Sequence, residues 1–186
     1  MWLQIVTFWI LQTTASSQHA RRLSIECNAI SCANSTFEEG FLFARLSSLA
    51  YKYDPDSVRG ELDALEYGGL SEALYFSVNS AQAYVFHSDS DLVISFRGEN
   101  DDADSEIVGK IQLTPLGAGK VHAGVLKHTQ HLFDSLKTEI TKPGHSGKKL
   151  WLTGHGLGGA MAMVMSGLLQ QDAGISTGVE SVHVQF

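Results

Sequence analysis

The sequence has little positive charge for its length. It carries 13 lysine and arginine residues against 20 aspartate and glutamate residues, for a formal net charge of -7. No stretch interleaves basic residues with aromatic ones, which is how proteins build a groove for nucleic acid. We therefore expect no nucleic-acid partner.

Cysteine is also scarce, with only Cys27 and Cys32 present. In an oxidising compartment this pair can close a small local loop as a disulfide. Zinc binding is the weaker alternative because a second ligand pair at suitable spacing is absent. We expect no metal and no cofactor. Asn34 begins an Asn-Ser-Thr sequon, which is a candidate glycosylation site in a secreted chain.

The N-terminus has an apolar block over residues 1–11, followed by small polar residues up to Ser17. The block is too short to span a bilayer comfortably, and it resembles a secretory signal without a positive leading region. A buried N-terminal helix is the alternative. We interpret residues 1–17 as a signal peptide, residues 18–39 as a leader that holds both cysteines, and residues 40–186 as one globular domain. The expected location is extracellular.

Hydrophobic spacing predicts helices and a hairpin in the first half of the domain. Apolar residues recur every three or four positions from Phe41 to Ala50, and a second short helix is predicted over Ser57–Tyr67. Two apolar runs, Ala81–His87 and Asp91–Arg97, flank the turn Ser88–Ser90. They predict a β-hairpin.

The second half predicts a strand, a tight turn, a helix and another strand. A helix is predicted over Leu126–Ile140, and Leu150–Thr153 forms the next strand. A glycine-rich turn follows, and then a long helix whose apolar face packs on the sheet. Val179–Phe186 alternates as a final strand. This βαβ order predicts an α/β fold with a mostly parallel sheet and flanking helices.

Three segments resemble the class 3 (fungal-type) lipase family, which belongs to the α/β-hydrolases. The segment Thr153–Ala160 is similar to the family's Thr-Gly-His-Ser-Leu-Gly-Gly-Ala turn, where the nucleophile stands on a sharp strand-to-helix elbow. Val93–Gly98 resembles the strand that ends in Phe-Arg-Gly, and Val121–Gly124 resembles the Val-His-x-Gly segment. The resemblance covers residues 40–186. It implies hydrolysis of acylglycerols or other carboxylic esters.

The elbow of this chain departs from the family at its most important position. Gly154 and Gly158 are the glycines that flank the nucleophile, but Gly156 stands where the family has serine. Family members attack the ester with that serine hydroxyl, which a histidine oriented by an aspartate activates. Loss of the nucleophile from such a triad costs on the order of a millionfold in rate. We therefore expect no ester hydrolysis.

Two further departures point the same way. The sequence ends at Phe186, near where the resemblance places the region before the triad Asp and His, so we expect both to be absent from this chain. His155 is interpreted as a buried, hydrogen-bonded histidine that leans away from the site. Glu99 stands where the family has a Thr or Ser that assists the oxyanion, and its carboxylate would repel developing negative charge. The backbone N–H of Leu157 is the other predicted oxyanion donor.

The remaining polar groups have simpler interpretations. The acidic segment Asn100–Glu106 is interpreted as a solvated loop, and calcium is the weaker alternative because the glycine of an EF-hand loop is missing. His128 and His131 are interpreted as two exposed helix histidines rather than as metal ligands.

Three hypotheses for function follow from these residues. The leading one is a secreted, catalytically inactive lipase-like protein that binds a lipid or ester ligand and contacts a membrane or lipid-droplet surface. The second is a fragment or incomplete gene model of a secreted triacylglycerol lipase. The third is a noncatalytic interaction module that pairs through its last strand. The oligomeric state is left open.

Overall fold

A computed structural model describes residues 37–63, 69–70, 72–100, 107, 109, 112–172 and 182–185. Cys27, Cys32, Asn34 and the predicted signal peptide lie outside these residues, as do residues 101–106 of the acidic segment. Along the chain, the helices and strands are α1 Phe37–Leu49, α2 Pro55–Asp63, β1 Glu72–Val78, β2 Ala81–His87, β3 Asp91–Phe96, β4 Leu113–Leu116, β5 Gly119–His122, α3 Ala123–Ile140, β6 Lys149–Gly154, α4 Leu157–Gln171 and β7 Val182–Gln185, with a short 3-10 helix over Pro143–His145.

The main sheet has five strands in the order β1-β2-β3-β6-β7. The β1–β2 and β2–β3 pairs are antiparallel, which confirms the predicted hairpin. The β3–β6 and β6–β7 pairs are parallel, as the predicted βαβ unit requires. The sheet in the described residues is therefore mixed. A separate hairpin of β4 and β5 was not expected from the sequence.

Helices cover both faces of the sheet because its central strands are apolar on both sides. Tyr84 and Phe86 of β2 pack in the cluster formed with α1 and α2, whereas Val85 between them packs in the cluster formed with α3 and α4. This alternation follows from the two-residue period of a strand. All three side chains are fully buried.

Buried hydroxyl groups fasten α1 to the sheet. Ser47 Oγ lies 3.1 Å from Thr153 Oγ1, and Ser95 Oγ donates a hydrogen bond of 3.0 Å to Leu46 O. Buried hydroxyls of this kind are stable only when they are paired. Thr153 directly precedes the glycine-rich turn, so these contacts hold the start of that turn against α1.

The predicted helices are present with shifted bounds. The helix predicted over Ser57–Tyr67 begins at Pro55 and is described as far as Asp63. The helix predicted over Leu126–Ile140 begins at Ala123, because His122 Nδ1 caps it by accepting from Val125 N at 3.3 Å. The interpretation of His128 as exposed is wrong, since it is 5% exposed.

Candidate functional site

A tight turn joins the end of β6 to the start of α4. Gly154 is the last residue of the strand and Leu157 is the first residue of the helix. Gly156 precedes the helix with φ 60° and ψ -120°. This is a left-handed φ that strains L side chains but not glycine. The predicted strand-to-helix elbow is therefore present, and Gly156 lies at its apex.

The two glycines that flank the apex are required by close backbone approach. A Cβ on Gly154 would lie 2.8 Å from Phe96 O, and a Cβ on Gly158 would lie 2.9 Å from Phe96 C. Real Cβ atoms do not approach backbone atoms so closely, and a backbone held in a sheet cannot move aside. The end of β3 thus crosses the elbow at a distance that only glycine permits.

Gly156 is different, because nothing crowds it. A Cβ at this position would have no heavy atom within 4 Å, apart from its chain neighbours. The apex has space for a side chain, and only the positive φ opposes one. The position therefore has the geometry of a nucleophile elbow with a hydrogen atom in place of the side chain. That residue 156 is the family's nucleophile position stays a prediction.

Leu157 follows the apex and begins α4, and its role as an oxyanion donor stays a prediction. As the first residue of α4, its backbone N–H has no acceptor four residues earlier within the helix. Its side chain is buried and belongs to the core, so the residue contributes to the apex through its backbone. Two neighbouring N–H groups are used in closing the turn, since Gly158 N donates to His155 O and Ala160 N donates to Gly156 O.

The Phe-Arg-Gly segment packs directly against the elbow. A Cβ on Gly98 would lie 3.1 Å from Tyr51 Cζ and would collide with the carbonyl oxygen of His155. Glu99, the next residue, is exposed at this edge of the elbow. The structure thus brings Glu99 into the neighbourhood of the apex. Its predicted effect on an oxyanion stays a prediction.

A tyrosine that sequence reasoning missed holds this segment in place. Tyr53 Oη accepts a hydrogen bond from Arg97 Nη1 and another from Asn100 Nδ2, each 2.8 Å long. One hydroxyl therefore ties both ends of the segment around Glu99. Arg97 is 3% exposed and also donates to Ser80 O at 3.2 Å. Nothing in the sequence near Tyr53 signals this contact, because Arg97 is 44 residues away.

The prediction that His155 is buried is wrong. Its side chain is exposed and lines the cleft at the elbow. The expected hydrogen bond is present, since His155 Nδ1 lies 3.1 Å from Tyr51 Oη.

The cleft at the elbow is small and largely apolar. Its volume is about 380 Å³, and its walls are formed by Gly154, His155, Gly156, Gly159, Ala160 and Met163. Met163 is 45% exposed. Small residues leave room along the first turns of α4, and Met163 adds an apolar rim. The cleft therefore suits an aliphatic group better than a charged one.

The Val-His-x-Gly segment lies at the start of α3 and does not line the cleft. His122 caps α3, and a Cβ on Gly124 would lie 3.2 Å from Ile107 C. Gly124 therefore permits the chain around Ile107 to cross the start of α3. These contacts give both residues of the motif a structural role.

Among the described residues, no group of three or more histidine, cysteine, aspartate or glutamate side chains is placed to hold a metal ion. None of the helices described is long and apolar enough to cross a membrane.

Comparison with known protein families gives the same assignment as the elbow. The family model for lipase (class 3) matches residues 88–181, which is half of the 186-residue chain. The chain belongs to the class 3 lipase family. The match includes the Phe-Arg-Gly strand, the Val-His-x-Gly segment and the whole elbow. No curated protein matches the chain in sequence.

Solved fungal lipases share the fold of this family member. A lipase from Rhizopus microsporus var. chinensis is 18% identical with a TM-score of 0.58, and the match covers 92% of this chain and 64% of that one. A triacylglyceride lipase from Rhizomucor miehei is 20% identical with a TM-score of 0.52, covering 81% and 62%. A fungal lipase solved with an inhibitor is 21% identical with a TM-score of 0.54, covering 75% and 58%. The predicted α/β-hydrolase-like fold is confirmed. The chain spans less than two thirds of the length of each of these enzymes.

Proposed function

We propose that this member of the class 3 lipase family binds an ester or acyl lipid at its elbow and does not hydrolyse it by serine chemistry. The observation that carries the proposal is Gly156 at the apex. Acyl transfer begins when an oxygen or sulfur atom at the apex attacks the ester carbonyl carbon. Residue 156 has no such atom. What remains is an apolar cleft beside the backbone N–H of Leu157, which can donate to a carbonyl oxygen.

Glu99 supports the same proposal through electrostatics. An oxyanion is stabilised by hydrogen-bond donors aimed at the developing charge, whereas a carboxylate nearby opposes that charge. The neutral carbonyl of a bound ester carries no full charge, so Glu99 opposes binding much less than it opposes the tetrahedral intermediate. A site with this residue favours holding a neutral ligand over reacting with it.

An esterase assay tests the absence of hydrolysis. The purified chain is incubated with p-nitrophenyl butyrate, beside a heat-denatured sample of the same protein. We expect both samples to release p-nitrophenol at the same rate. Turnover well above the denatured control would show that a group other than residue 156 attacks the ester.

Ligand binding needs a separate test, which does not depend on catalysis. Met163→Glu places a carboxylate on the rim of the cleft, and Gln170→Glu places the same charge on an exposed position of the same helix outside the cleft. We expect Met163→Glu to weaken binding of a fluorescent neutral acyl ester at least tenfold, with Gln170→Glu near wild type. Equal binding by all three proteins would place the ligand elsewhere.

A second candidate function is that of one part of a longer, secreted triacylglycerol lipase. It is favoured by coverage of only 58–64% of the solved fungal lipases. Sequencing the transcript beyond the codon for Phe186 tests this candidate, and secretion is tested by detecting the protein in the medium of expressing cells. An open frame that continues into a Gly-x-Pro-Arg-like segment would support it, whereas an immediate stop codon would count against it.

A further inference from the structure

Two histidine rings lie together at the end of the sheet opposite the elbow. His87 is the last residue of β2, and His145 ends the 3-10 helix that leads toward β6. His87 pairs with Leu92 of β3, which pairs with Leu150 near the start of β6. The elbow follows the other end of β6, roughly 20 Å away at the rise of an extended strand. The histidine pair is therefore separate from the lipase-like cleft.

Each ring is held by a carboxylate through the same nitrogen atom. His87 Nε2 lies 2.9 Å from Glu72 Oε2, and His145 Nε2 lies 3.1 Å from Glu139 Oε1. An ionised carboxylate only accepts hydrogen bonds, so both Nε2 atoms carry the proton. In a neutral imidazole the other nitrogen, Nδ1, then has a free lone pair. The pair thus offers two Nδ1 lone pairs on neighbouring rings.

The surroundings of His145 Nδ1 are unusual for a polar atom. His145 is 7% exposed, and its Nδ1 is buried without a hydrogen-bond partner among the described residues. Buried polar atoms without partners are uncommon because they lose their hydration and gain nothing in return. A ligand that accepts a nitrogen lone pair would satisfy this atom.

The separation of the rings matches that of two histidines on one zinc ion. A Zn–N bond is about 2.0–2.1 Å, so a ring centre lies about 3.2 Å from the ion, and two such rings at a tetrahedral angle have centres about 5 Å apart. The centroids of His87 and His145 are 5.1 Å apart, and the rings are inclined at 63°. Zinc-bound histidines also commonly donate their other N–H to a carboxylate, as both rings do here.

We propose that His87 and His145 bind a divalent zinc ion through their Nδ1 atoms, with Glu72 and Glu139 as positioning residues behind them. Since no third protein ligand from the described residues completes a metal-binding group, water fills the remaining positions. The site is therefore weaker than a structural zinc site with four protein ligands. The ion enters from the β1 side, where the His87 side chain is 17% exposed and Glu72 is 60% exposed.

Calorimetric titration of the chelator-treated full chain with zinc chloride tests the proposal. We expect one site in the wild type and at least a tenfold loss of affinity in both His87→Gln and His145→Gln. The matched control is His131→Gln, because His131 also neighbours a second ring, His128, at 6.3 Å between centroids. Its ring is held at Nδ1 by the side chain of Asn79 at 3.2 Å. We expect this control to bind zinc as the wild type does.

A second measurement covers the case in which a variant fails to fold. Imidazole nitrogen NMR of the wild-type chain, before and after zinc, reports each of the eight histidines separately. We expect zinc to shift the Nδ1 resonances of His87 and His145 and to leave the others in place. No zinc binding by the wild type, equal affinity in His145→Gln, or shifts confined to other histidines would each overturn the proposal. None of these results depends on whether the elbow binds a lipid.

Discussion

At the residue scale, glycine at position 156 has one consequence for the strain of the backbone and another for the chemistry of the site. Its φ of 60° lies in a region where an L side chain costs roughly 1–2 kcal/mol, so glycine relaxes the turn. Glycine also has no side-chain oxygen or sulfur atom that could attack an ester. A glycine at this position suits the backbone and cannot supply an attacking atom, which fits a general conflict between stability and activity at functional sites.

The strain can be measured with Gly156→Ala. We expect this variant to lose roughly 1–2 kcal/mol in the free energy of unfolding, because alanine must adopt a left-handed φ. Urea denaturation measures it. The control is Gly144→Ala, where nothing lies near the new Cβ and φ is not positive. If the free energy of unfolding of Gly156→Ala were no lower than that of the control variant, the backbone at position 156 would not be strained.

Restoring the hydroxyl alone should not restore a lipase. The Cβ of a serine at position 156 would have no heavy atom within 4 Å, apart from those of its chain neighbours, and a serine without a base is a weak nucleophile. The members of a catalytic triad act as a unit, so a serine that lacks its partners recovers little activity. We expect Gly156→Ser to hydrolyse p-nitrophenyl butyrate no more than tenfold faster than wild type. Robust esterase activity in this variant would show that a base does act there.

Tyr84 predicts a loss of stability at high pH. Burial raises the pKa of Tyr84 to about 12, with smaller contributions from Tyr75 and Asp54. A pKa above that of the unfolded chain favours folding below about pH 10, and the benefit disappears as pH rises through about 12. Over this interval we expect a loss on the order of 2 kcal/mol.

The control for this pH effect is Tyr84→Phe. It removes the titrating group and a hydrogen bond of 3.1 Å to Lys52 O, so it should be less stable at neutral pH by about 1 kcal/mol. Denaturation curves at pH 8, 10 and 11.5 compare the two proteins. The same alkaline slope in both would mean that another group is responsible.

At the element scale, the elbow depends on how closely β3 passes the start of α4. Gly158→Ala would drive a Cβ into the backbone of Phe96, so we expect a loss of more than about 3 kcal/mol or failure to fold. Gly60→Ala in α2 meets nothing within 4 Å and should stabilise the protein by up to about 1 kcal/mol. Thermal melts followed by circular dichroism compare the two. Similar melting temperatures would mean that the end of β3 and the start of α4 are farther apart than the contacts at Gly158 indicate.

Elements with a strong apolar period could be predicted from the sequence, and weakly patterned ones could not. The β2–β3 hairpin and the βαβ unit were predicted, because their strands are apolar and end in turns or glycines. Strand β1 was missed because it lies at the edge of the sheet, where most of its side chains are only partly covered. The β4–β5 hairpin was missed because Pro115 and Gly117 are typical of loops.

The site could be predicted as far as its backbone motif and no further. Gly154, Gly156 and Gly158 were predicted because the segment Thr153–Ala160 resembles the elbow of the class 3 lipase family. The outward direction of His155 and the hydrogen bonds of Tyr53 depend on contacts across 44 or more residues, and no local pattern records them. The burial of His128 was missed for the same reason, since its surroundings come from packing against other elements.

At the scale of the whole molecule, the two ends of one sheet carry different chemistry. The elbow and its apolar cleft lie where β3 and β6 end, and open α/β sheets commonly bind ligands at the carboxyl ends of their strands. The opposite end carries the carboxylate-backed histidine pair. One hydrophobic cluster joins the sheet to α1 and α2, and a second joins its other face to α3 and α4.

The most direct test of the central claim is labelling of the native chain with a fluorophosphonate probe, which bonds to activated serine nucleophiles. The labelled protein is digested, and the peptide that contains residues 154–158 is examined by mass spectrometry, with an active serine lipase as the positive control. With Gly156 at the apex, we predict no label on this peptide. A stoichiometric adduct there, lost on heat denaturation, would contradict the account.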